Sequence, residues 1–208
     1  MITHTNSTKF ARWAALATAL VAAALLAGCS GGDTSEREPA PLERTKAEVT
    51  AKSSLEIARS AVATAMPDAK LLVVQTGEPA TASDDPSWSY LFGSPSSGKT
   101  YLVFVSGETI TDAAEYGDSD LTEEDWEQVP ELTDWKIDSD AAYRKAVEAA
   151  GVTDPQMTYM MGMQTYYPDE DAAAQEATAF TWYVYFDPLS EESIAVAVNA
   201  RTGEAVVE

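Results

Sequence analysis

Thr181-Trp-Tyr-Val-Tyr-Phe186 is an unbroken run of β-branched and aromatic residues, short enough for one strand and too rich in rings for a loop. Alternation along a strand puts Trp182 and Phe186 on the same face, and a face that large and apolar asks for a helix to cover it. The covering helix is upstream. Asp138 or Ser139 offers an N-cap, Ala142, Ala146, Ala149 and Ala150 follow at helical spacing, and Gly151 stands where a left-handed C-cap is wanted. A strand from Gln156 to Tyr167 and an acidic loop, Pro168-Asp-Glu-Asp171, fill the interval. Downstream come Ile194-Ala-Val-Ala-Val198, a turn at Ala200-Arg-Thr-Gly203, and Glu204-Ala-Val-Val207.

The same order occurs earlier. Ala51, Leu55, Ala58, Val62 and Ala65 recur at spacings of four and three, which predicts a helix ending near Met66-Pro67. Lys70-Leu-Leu-Val-Val-Gln75 reads as a strand, followed by a polar loop and Trp88-Ser-Tyr-Leu-Phe92. A Gly/Ser/Pro turn then leads into Thr100-Tyr-Leu-Val-Phe-Val105. Trp88 and Phe92 hold the places of Trp182 and Phe186. The expected fold class is α+β: two similar units, each a helix with a three-stranded antiparallel sheet, over residues 46–115 and 137–208. The pattern leaves open whether they form one domain or two. Residues 116–136 read as an acidic connector in which Thr122-Glu-Glu-Asp125 caps a short helical turn, with Trp126 and Trp135 pinning it to one half.

Asp138-Ser-Asp-Ala-Ala-Tyr-Arg-Lys-Ala-Val-Glu-Ala-Ala-Gly151, Trp182-Tyr-Val-Tyr-Phe186 and Ala197-Val-Asn-Ala-Arg-Thr-Gly-Glu204 together resemble PepSY-type domains of exported bacterial proteins, with the first half as a divergent copy. The resemblance implies a helix packed on an antiparallel, cystatin-like sheet and a role in binding or restraining partners such as secreted proteases. It implies no catalytic residues.

The amino terminus fixes the expected compartment. Lys9 and Arg12 precede an uncharged apolar run from Trp13 to Leu26, too short for a comfortable span. Leu26-Ala-Gly-Cys29 then resembles the lipobox of bacterial lipoproteins, in which the chain is cut before the cysteine and its thiol is diacylated. The expectation is a signal peptide over residues 1–28, lipidation at Cys29, and a polar, proline-containing tether over residues 29–45. The protein is thus expected outside the cytoplasm, held to a membrane by lipid.

Cys29 is the one cysteine, so no disulfide supports the domain. The net charge is −21, and losing Lys9 and Arg12 takes it to about −23. Such a field repels nucleic acid and anionic headgroups, which leaves attachment to the lipid.

The histidine count is one, at His4 inside the signal. A mature chain without histidine or a free cysteine builds no Ser-His-Asp or Cys-His centre and no zinc site with nitrogen or sulfur ligands. Gly93-Ser-Pro-Ser-Ser-Gly-Lys-Thr100 spells a phosphate-binding loop, but that loop must enter a helix and this one enters a β-rich run. Ser96 and Lys99 spell a Ser-Lys dyad without the helix to aim it. Met157, Met160, Met161 and Met163 suggest either a Cu(I) site or gap-filling beneath an alanine-rich helix, and strand alternation favours the core. Asp84 and Asp85, Asp169, Glu170 and Asp171, and the connector acids Asp118, Asp120, Glu123, Glu124 and Asp125 lack the Ca²⁺-loop spacing and read as solvated. The expectation is a non-enzymatic module, without cofactor or metal, that binds a protein or peptide. An envelope-assembly scaffold and a weak metal-binding or carboxylate-dependent enzyme are the alternatives.

Overall fold

The computed structural model describes residues 49–168 and 178–208. The signal segment, Cys29, the whole tether and the acids Asp169, Glu170 and Asp171 lie outside the described residues.

Helix α1, Ala51–Val62, leads into strands β1, Lys70–Thr76, β2, Trp88–Ser94, β3, Lys99–Ser106, and β4, Thr109–Asp118. A short helix α2, Glu123–Gln128, and a 3-10 turn, Leu132–Asp134, connect to helix α3, Ser139–Ala150. Strands β5, Tyr159–Gln164, β6, Thr181–Phe186, β7, Ile194–Asn199, and β8, Ala205–Val207, complete the chain. Among the described residues the eight strands form one antiparallel sheet in the order β4-β3-β2-β1-β5-β6-β7-β8. The halves therefore share a sheet, and each contributes four strands where three were expected. The extra strand β4 runs to Asp118, three residues into the range read as connector.

Helices α1 and α3 cover the same face, α1 over β2, β3 and β4, and α3 over β6, β7 and β8. The buried stripe of α1 is Ala51, Ser54, Leu55, Ala58 and Val62. Ala65 continues the spacing but is exposed, because the helix stops at Val62 and Met66 is buried instead. Pro67 disfavours helical backbone at the residue before it. In α3 the buried residues are Ser139, Ala142, Tyr143 and Ala146, and Gly151 supplies the left-handed cap at φ 66°.

Register explains how one core spans both halves. Val103, Tyr90, Val74, Met163, Trp182 and Val198 are successive cross-strand partners in one row, all buried. Trp88, Tyr90 and Phe92 face Val105, Val103 and Tyr101, while Trp182, Val184 and Phe186 face Val198, Val196 and Ile194. The indole N–H of Trp88 donates to Val49 O and that of Trp182 to Ile137 O, both at 3.0 Å. Each acceptor is the residue just before the helix N-cap, Thr50 or Asp138.

The two tryptophans do not sit apart under separate helices, as the sequence suggested. Their rings meet edge to face at 6.2 Å, and Trp135 meets Trp182 at 5.7 Å. The reason is the β1–β5 pairing, which brings β2 and β6 within two strands of each other at the centre of the sheet. Trp135 thus joins the main core. Trp126 lies on the opposite face, where it packs with Val129 and Tyr166 in a smaller cluster.

Candidate functional site

The Gly93-to-Thr100 segment joins β2 to β3 as a hairpin, with Gly98 at φ 63° making the turn. Its polar groups are already engaged by a carboxylate of this chain. Asp68 accepts from the Ser94 hydroxyl at 2.7 Å and from the Ser96 amide at 2.8 Å. The Ser94 hydrogen bond, helped by the Ser96 amide against a small burial penalty, holds the Asp68 carboxyl below the usual carboxylate range. Lys99 leans on Asp118 at 2.6 Å and Glu115 at 3.3 Å, across the β3–β4 pair. A phosphate loop would aim these donors at a ligand. Here they hold a hairpin together, and the long-range role of Asp68 carries no local signal in the sequence.

Two expected results follow. Lys99→Ala should leave the unfolding midpoint close to that of the parent, because its ion pairs are exposed, and should leave nucleotide response absent; urea unfolding and ATP titration check both. Asp68 has a folded pKa below its unfolded one, so its contribution is present above the unfolded value, near 3.8, and is lost as pH falls through the folded value. Asp68→Asn should therefore lower stability at pH 7 and converge on the parent protein as pH falls through the folded pKa of Asp68, read from unfolding midpoints from neutral into acid.

The methionines are placed as packing. Met161 and Met163 are buried on the helix-covered face opposite Val184 and Trp182, and Met157 is partly buried against the same core. Met160 points to the other face. The acids are dispersed. Asp84 accepts from the Thr81 amide and hydroxyl at 2.7 and 2.8 Å, closing a loop turn. Asp125 completes a capping box with Thr122 at the start of α2. Among the described residues no three His, Cys, Asp or Glu side chains gather in a way that could hold a metal ion.

What the sequence reading missed is the sheet face away from α1 and α3. One row across all eight strands is Asp112, Phe104, Ser89, Gln75, Gly162, Tyr183, Ala197 and Val206. The next is Ala114, Leu102, Leu91, Val73, Gln164, Thr181 and Asn199. In a chain that is 23% charged, these rows carry one charged side chain, at the edge. Phe104, Leu102, Leu91, Val73 and Tyr183 are half-buried. The neighbouring Tyr185 has its phenol pushed up to about 12 by burial, with Tyr183 and Glu208 adding to it. The arrangement offers apolar rings, amides and hydroxyls, and no acid–base pair. The signal for it was available as the alternate residues of each strand, whose moderate polarity passes for an ordinary solvated face.

No family model and no curated protein matches the chain. Its fold is similar to the crystal structure of a "putative lipoprotein (CD1622)" from Clostridium difficile 630. The TM-score is 0.53 and the identity 10%, over 82% of this chain and 99% of that one. At that identity the likeness is one of fold: a mixed α+β arrangement. Among the described residues no helix is long and apolar enough to cross a membrane.

Proposed function

We propose that this protein is an extracytoplasmic lipoprotein, exported by residues 1–28 and acylated at Cys29. Its domain is two PepSY-like halves fused through one sheet, acting as a non-enzymatic module that holds a protein or peptide. The observation that carries the binding reading is the pair of rows on the sheet face opposite α1 and α3 in which Asp112 is the one charged side chain, on a protein whose net charge is −21. A patch so unlike the rest of its surface is where a partner gains most from leaving water. Leu26-Ala-Gly-Cys29 carries the anchoring reading, and the similar fold of the "putative lipoprotein (CD1622)" supports it.

Cys29→Ala is expected to move the protein from the detergent phase to the aqueous phase while its unfolding midpoint stays put, since the folding determinants lie beyond the tether. Retention in the membrane fraction would mean that the apolar leader is kept. For binding, the purified chain is crosslinked in envelope extract beside Phe104→Ala and Tyr183→Ala. The reading expects a discrete partner that both variants lose while remaining folded. It fails if the parent chain captures nothing, or if capture is indifferent to both substitutions.

A further inference from the structure

Between β4 and Trp135 the chain crosses the sheet face away from α1 and α3, and it is held there by few contacts. Trp126 presses its ring onto Gly93 so closely that a Cβ at that position would lie 2.4 Å from it. Val129 and Tyr166 complete a cluster separate from the main core, with Leu72 and Leu121 packed against it. The Lys70 ammonium donates to the carbonyls of Trp126 at 2.9 Å and Val129 at 3.3 Å, at the C-terminal end of α2 where a cation suits the helix dipole. The Tyr166 hydroxyl donates to Asp125 at 2.7 Å.

Against these anchors stands charge. Six carboxylates and no lysine or arginine lie within residues 119–131. A six-residue helix does not persist in water by itself, so α2 depends on Trp126 staying seated. We propose that residues 119–131 form a strap that opens and closes over the Gly93 end of the sheet as one unit, with ionic strength setting the balance. The Trp126–Gly93 contact and the Lys70 hydrogen bonds to neutral carbonyls are little screened by salt. The mutual repulsion of the carboxylates is screened strongly, because the Debye length falls from about 30 Å at 0.01 M to about 3 Å at 1 M. High salt closes the strap; low salt lifts it. Opening leaves the helix-covered core intact.

Hydrogen exchange on the purified chain tests this. The amides of Trp126 and Val129, bonded to the Thr122 and Asp125 carbonyls, are compared with those of β2 and β3 in 0.02 M and 0.5 M NaCl. Strap exchange is expected to slow about fivefold or more relative to the sheet on adding salt. Glu127→Gln with Glu131→Gln, both exposed, should reproduce that slowing at low salt, and Lys70→Met should reverse it. Gly93→Ala should strip strap protection while the sheet keeps its own. Strap and sheet amides exchanging in step at both salt concentrations overturns the proposal. So does a ratio that the Glu127/Glu131 double variant leaves unmoved, an outcome readable even if Gly93→Ala fails to fold.

Discussion

Trp182→Ala is expected to destabilise the protein by about 3 to 5 kcal/mol, and Trp88→Ala by a similar amount, in denaturant unfolding. Each side chain is essentially inaccessible, at 0% and 1% exposure, so truncation opens a cavity and does not merely trim a surface. Each also strands a carbonyl ahead of a helix, Ile137 O or Val49 O, although Ile137 O keeps the Trp135 indole at 3.0 Å. Losses of that size are a large fraction of the roughly 5 to 15 kcal/mol that holds an ordinary domain folded. Because the rings touch, the cavities merge, and the double variant should cost less than the sum by about 1 kcal/mol. Strict additivity would mean that the halves do not share this seam. A loss below about 1 kcal/mol at either site would contradict the packing described here.

How much of this was legible depended on whether a residue's partners lay nearby in the chain. The α1 and α3 stripes, the Thr122 capping box and strands β1, β2, β3, β6 and β7 announced themselves, since periodicity and capping are local. Strand β4 did not. As an edge strand it pairs on one side only, and all its residues except Ala113 and Gly117 are exposed. Thr109-Ile-Thr-Asp-Ala-Ala-Glu-Tyr-Gly-Asp118 therefore lacks the alternation that a half-buried strand is selected to show. Strand β5 was read too long at both ends for a related reason. Thr165 leaves the ladder, its amide bonding Leu72 O at 2.9 Å and its hydroxyl Leu71 O at 2.7 Å, at the bulge in β1. The fusion of the halves into one sheet rests on the pairing of Val73, Val74 and Gln75 with Gln164, Met163 and Gly162, and nothing in either segment names the other. The hairpin loop shows both limits. Its strand context was enough to reject a phosphate site, whereas Asp68 as the group that organises it could not be read.

The fusion has a second consequence, at the point where the N-termini of α1 and α3 meet. Every helix N-terminus presents unsatisfied amides and a partial positive charge, so bringing two together is unfavourable unless something negative stands between them. Asp138 does this for both helices. Its Oδ1 accepts from the Ser139 amide at 2.7 Å and, across the junction, from the Lys52 amide at 3.1 Å. Ser139 extends the exchange by accepting from the Ala51 amide at 3.0 Å, in a fully buried setting. The Lys52 ammonium, in turn, donates to Trp135 O and lies over the Trp135 ring at 5.4 Å. An ordinary N-cap loss costs about 1 kcal/mol, but Asp138→Ala leaves amides of two helices without an acceptor, so about 2 to 3 kcal/mol is expected. Asp138→Asn keeps an acceptor oxygen while removing the charge, and should cost about 1 kcal/mol. The discriminating measurement is hydrogen exchange. Asp138→Ala should deprotect the first turn of α1, far away in sequence, as well as that of α3. If only the α3 amides respond, Asp138 is a local cap and the helices meet without its help.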